Sequence, residues 1–161
     1  MPVKYVSHDL ETLTLTITAE FAAPVQRIWD LYADPRQLEK VWGPPSHPAT
    51  FVAHRLEVGA KTTYYMTSPE GEKYHGYWVL TQIDEPNGFE FEDGFADAEF
   101  NPNTNMPVSK NVYRFESIAS GTRATYISTY ATQEALEQVL AMGVVEGATS
   151  AINQIDDFIS H

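Results

Sequence analysis

The chain contains no cysteine. That absence excludes disulfides, thiolate metal sites and cysteine nucleophiles together, and it fits a reducing cytoplasm. Long apolar runs are missing too. No window approaches the ~20 apolar residues that a membrane helix needs, and the opening stretch, residues 1–9, is too polar for a secretory signal. Cations are scarce, with 10 Lys and Arg against 22 Asp and Glu, for a net charge of −12. Such a surface repels phosphate backbones and anionic lipid heads, which argues against nucleic-acid and membrane partners and for plain solubility. Neither a glycine-rich phosphate loop nor a nucleophile-elbow string occurs, so phosphoryl transfer and serine hydrolysis have no motif to stand on. Repeats, low-complexity tracts and linkers are also absent. The 161 residues therefore read as one domain, residues 1–161 with a core at 12–159.

What is present is patterned. In residues 12–21, Leu13, Leu15, Ile17, Ala19 and Phe21 alternate with threonines and Glu20, a half-buried strand. Pro24 suits a first helical turn, and Val25, Ile28, Trp29 and Tyr32 form one apolar stripe after it. Asp34-Pro35 opens a second short helix carrying Leu38, Val41 and Trp42, which ends at Gly43-Pro44-Pro45. Six further strands follow at 50–57, 61–68, 74–84, 89–95, 110–119 and 122–130, separated by turn strings such as Pro69-Glu70-Gly71-Glu72 and Ser120-Gly121. Short strands with short turns predict one antiparallel, meandering sheet. Thr132 caps a closing helix whose apolar positions are Leu136, Leu140, Gly143, Gly147, Ala151, Ile155 and Phe158. Read as one helix of about 28 residues, it spans roughly 42 Å. Leu15, Ile17, Trp29, Leu140 and Ile155 are the expected core.

Several strings together resemble one family. They are Phe21-Ala22-Ala23-Pro24 through Trp29, Asp34-Pro35 with Val41-Trp42-Gly43-Pro44, Val58-Gly59 through Met66, and Gly76-Tyr77-Trp78 with Ile83-Asp84-Glu85-Pro86. Gly121-Thr122-Arg123, Thr132-Gln133-Glu134 and Gly143 through Gly147 complete the set. In this order they resemble the SRPBCC (START/Bet v 1-like) superfamily and, within it, the homologues of the activator of heat-shock protein 90 ATPase. The resemblance implies an α+β helix-grip fold. A curved antiparallel sheet of about seven strands, with two short helices after the first, wraps a long C-terminal helix and leaves a cavity. One departure stands out: the position after Gly147, commonly tryptophan in relatives, is Ala148.

With inward-facing parity on each strand, the expected ligand-binding residues are Trp42, Tyr64, Met66, Trp78, Phe91, Tyr113, Tyr126, Gly143 and Gly147. They describe an aromatic-walled pocket for a small apolar or aromatic molecule; an ordinary aromatic core is the alternative. A one-residue slip at 74–83 would turn Tyr77 and Val79 inward in place of Trp78 and Leu80. The two glycines either thin the helix beside a ligand or allow close packing on the sheet. His47, His54 and His75 lack ligand spacing, so no metal or other cofactor is expected. The acidic run Glu90, Glu92, Asp93, Asp97 and Glu99 reads as a solvated edge and loop. No catalytic set is visible, and the expected function is binding in the cytoplasm, as a monomer or homodimer. A heat-shock protein 90 chaperone is the alternative partner that the resemblance implies, and an aromatase/cyclase-like enzyme the alternative activity.

Overall fold

The alternation of residues 12–21 becomes strand β2, Thr14–Phe21, with Leu15, Ile17, Ala19 and Phe21 buried and the threonines on the wetter face. The computed structural model describes residues 2–160. Helices α1, Val25–Ala33, and α2, Pro35–Leu38, follow β2. The Asp34 side chain accepts the Arg36 N–H and so caps α2. Then come β3 Ala49–Ala53, β4 Lys61–Thr67, β5 Lys73–Asp84, β6 Gly88–Ala96, β7 Ser109–Ile118 and β8 Gly121–Tyr130. With β1, Val3–Asp9, they form one eight-stranded antiparallel sheet ordered β1-β2-β8-β7-β6-β5-β4-β3.

β1 is the strand that the periodicity does not predict. Beyond Val3 its side chains are all exposed, so no buried face imprints a pattern. The backbone ladder to β2, from Val3↔Ala19 to Asp9↔Thr14, holds it in place.

The closing helix also differs from expectation. It is three segments: α3 Gln133–Ala141, α4 Val144–Asn153 and α5 Ile155–Ile159. The break falls at Gly143, whose φ of +85° lies in the left-handed region that glycine enters without a Cβ penalty. Gly143 is therefore a hinge between helices and not a mid-helix residue. The interruption re-aims the apolar face. Leu136, Val139, Ala151, Ile152 and Ile155 are buried, whereas Leu140 is only partly buried beside the small cluster of Leu15, Tyr130, Leu136 and Val139.

Across the concave face the register sets side chains in straight rows. One runs Thr62, Trp78, Asp93, Ser109, Tyr130 across five strands. The next carries Phe91, Asn111, Ser128 and Leu15, and a third Phe89, Tyr113, Tyr126 and Ile17. Trp78 and Leu80 belong to the main core cluster, with 0% and 1% exposure, whereas Tyr77 is buried outside it, which settles the parity of β5. Helix α1 fills one part of this face: Tyr32 stacks on Phe115 at 5.5 Å and Trp29 meets Phe89 edge-on at 6.0 Å. No helix among the described residues is long and apolar enough to cross a membrane.

Candidate functional site

Beneath α4 the concave face is not filled. A cavity of about 700 Å³ lies between the sheet and the segment from Met142 to Ile152. Its volume follows from the side chains that α4 turns toward the sheet. Val144, Gly147, Ala148 and Ala151 share one helical face and line the space, and a Cβ built on Gly147 would meet nothing within 4 Å. Tyr74, Met142 and Glu146 are exposed and line the same space, so they form its rim.

Trp42, Tyr64, Met66, Tyr113, Tyr126, Gly143 and Gly147 all lie on the cavity wall. Trp78 and Phe91 do not. Their rings stack on each other at 4.3 Å, and Trp42 covers Trp78 edge-on at 4.9 Å, so both belong to the packed layer behind the wall. Tyr64 is positioned by glycine: a Cβ at Gly76 would sit 2.6 Å from its ring. Without that Cβ the ring lies over β5 and stacks on Phe51 at 5.1 Å.

Several polar groups of the wall bond to one another. The Ser128 hydroxyl donates to Asn111 Oδ1 at 2.7 Å, and Asn111 Nδ2 donates to Ser109 Oγ at 3.1 Å. The hydroxyls of Tyr32 and Tyr126 are 2.8 Å apart. Burial holds the phenols of Tyr32, Tyr64, Tyr113 and Tyr126 above their ordinary range and pushes that of Tyr130 up to about 12, so they stay neutral donors and acceptors near pH 7.

Asp93 is the correction to the expected solvated acidic edge. Its side chain points inward, onto the cavity wall between Trp78 and Ser109. Its one side-chain hydrogen bond among the described residues is long: the Tyr64 hydroxyl donates to Oδ1 at 3.5 Å. Loss of solvent raises its carboxyl to about 7, with the Tyr64 bond a smaller opposing effect. The signal was in the sequence. Phe89, Phe91 and Asp93 are spaced by two, so an inward Phe91 requires an inward Asp93. Other members of the run do sit at the surface, Glu90 paired with Arg114 at 2.9 Å and Asp97 accepting the turn N–H groups of Glu99 and Asn101.

The three histidines go to three places. His54 is wedged against Trp78, its Nε2 donating to the Tyr32 carbonyl at 2.7 Å and its Nδ1 accepting from Thr62 at 2.8 Å. Burial lowers its pKa, in keeping with a neutral ring. His75 packs on Phe100 and His47 near Tyr74, and both line the cavity. Among the described residues, no three His, Asp or Glu side chains group as metal ligands.

Comparison with known proteins extends this geometry. The profile of the family described as "Activator of Hsp90 ATPase homolog 1-like protein" matches residues 22–160. No curated protein matches the chain. Among solved structures, a crystal structure of a Mycobacterium smegmatis protein is 70% identical, with a TM-score of 0.91 over 97% of this chain and 96% of the other. A solution structure from Arthrobacter aurescens is 44% identical, with a TM-score of 0.92 over 97% and 91%. A Staphylococcus epidermidis protein at 24% identity, with a TM-score of 0.84 over 98% and 94% of the two chains, shares the fold.

Proposed function

The chain belongs to the activator of Hsp90 ATPase homolog 1-like family, and from that premise we propose that it is a binding module that encloses a small apolar or aromatic molecule between the sheet and α4. One observation carries the reading: a 700 Å³ cavity with aromatic walls and a few polar side chains among them. Small-molecule sites of this kind run to roughly 300–1,000 Å³, mostly apolar with a few placed polar groups. Burying ~200 Å² of apolar ligand surface contributes about 5 kcal/mol before association costs. Micromolar binding therefore needs the hydrogen bonds that Tyr113, Tyr126, Ser109 and Asn111 offer.

An environment-sensitive apolar dye, titrated into the folded protein, tests this reading. One-to-one binding with enhanced emission is expected, and the absence of saturable binding refutes it. A second reading, an aromatase/cyclase-like enzyme, draws on Asp93 beside Tyr64, a carboxyl and a phenol inside one cavity. Turnover of a polyketide mimic that is lost in Asp93→Asn is its test. Stimulation of an Hsp90 ATPase draws on the family description alone, and a pull-down from host lysate tests it.

A further inference from the structure

The cavity holds one feature that an apolar ligand does not use. Asp93 lines it as a carboxyl group, and among the described residues no Lys or Arg lines the cavity, whose basic side chains are the imidazoles of His47 and His75. Its neighbours across the sheet, Trp78 and Ser109, carry no charge. Its hydrogen bond from Tyr64 is at the limit of useful length, 3.5 Å. Asp93 is half-buried, and a carboxylate in such a place is partly desolvated with little compensation, a cost that pairing with a cation offsets. The aromatic rings of Trp42, Tyr64 and Tyr113 present π-faces or edges to the same space, and such faces attract cations as well as apolar surface.

We propose that the natural ligand of this cavity is a small aromatic or apolar amine, whose ammonium group pairs with Asp93 while its apolar body lies against the aromatic wall and α4. The proposal rests on the reading of the cavity as a ligand site and adds the ligand's chemical class. The amine supplies a cation where no Lys or Arg of the described residues lines the wall, and it donates hydrogen bonds to both carboxylate oxygens. Ser109, opposite Asp93 in the register, and Asn111 beside it offer further acceptors for the remaining N–H groups. An anionic ligand is disfavoured by the same carboxylate and by the net charge of −12.

Two probes of equal shape separate this idea from its premise: naphthylmethylamine, which is charged at pH 8, and naphthalenemethanol, which is neutral. Calorimetric titration of each into the full chain at pH 8 should show the amine binding roughly tenfold or more tightly than the alcohol, the range of a charge-assisted hydrogen bond. In Asp93→Asn that ratio should fall to about one, and Asp93→Ser serves if the asparagine variant does not fold. Equal binding of the two probes to the wild type overturns the amine while leaving the cavity reading intact. A preference that persists in the variant also overturns it, because general attraction to an acidic protein would then explain it. If neither probe binds, the cavity reading itself fails and the amine with it.

Discussion

One sheet is covered in two ways. Under α1 the concave face is packed solid: Ile28, Trp29, Leu31 and Tyr32 are all buried, and their aromatic rings interlock with Phe89 and Phe115. Under α4 the same face looks onto open space. Both helices are about equally long and both lie over aromatic strands. The difference lies in side-chain volume, since α4 offers Gly147, Ala148 and Ala151 where α1 offers tryptophan and tyrosine. The cavity in this chain is made by withholding bulk from one helix.

The largest effect should come from the filled half. Trp29→Ala removes a side chain left 3% exposed and should cost about 3–5 kcal/mol in chemical denaturation. A loss under about 1 kcal/mol would mean that the two halves are equally loose.

Next is the charge in the hollow half. The Asp93 carboxyl is raised to about 7 in the fold and sits near 3.9 in an unfolded chain. The native state therefore holds a proton between those values that the unfolded state has released. Stability from this group is full below about pH 4 and declines as pH rises to about 7. Asp93→Asn should stabilise the protein little at pH 4 and more at pH 8, with a ceiling of about 4 kcal/mol. The surrounding phenols of Tyr64, Tyr113 and Tyr130 are raised by burial and stay neutral across this window. His54 acts with the opposite slope, because its lowered pKa makes stability fall as pH drops through about 6.5. Its contribution is common to both proteins and cancels in the difference. A stabilisation that does not grow with pH would place Asp93 in water.

The two helix glycines sharpen the comparison on a smaller scale. Gly143→Ala forces a side chain into a left-handed φ of +85° and should cost about 1–2 kcal/mol. Gly147→Ala meets no neighbour within 4 Å in an ordinary helix and should gain up to about 1 kcal/mol. Thermal melts of the pair should shift in opposite directions. A Gly147→Ala protein that melts lower would mean that the space beside α4 is already taken.

Periodicity made most of the fold legible. Residues 12–21, the turn strings and the apolar stripe of α1 each imply their element. Where both faces of a strand are wet, as in β1, nothing in the side chains records the pairing. The break at Gly143 was hidden because apolar residues continue on both sides of it, and only the backbone angle marks the hinge. For the site, parity put Tyr64, Tyr113 and Tyr126 on the correct face but could not give depth. Trp78 and Phe91 share that face and are buried because their rings stack on each other and Trp42 covers Trp78. Asp93 was readable by the same parity and was masked by its charged neighbours in the run.

The central claim, that the space under α4 receives a ligand, is tested most directly at Gly147. Its Cβ direction opens onto the cavity, so Gly147→Leu should fill part of the space without straining the backbone. Titration of the apolar dye should give one-to-one binding to the wild type and binding weakened roughly tenfold or more in Gly147→Leu, on the scale of a displaced leucine-sized contact. The melting temperature should change by no more than a few degrees. Equal dye affinity in the two proteins would contradict the account, because the ligand would then sit somewhere other than between the sheet and α4.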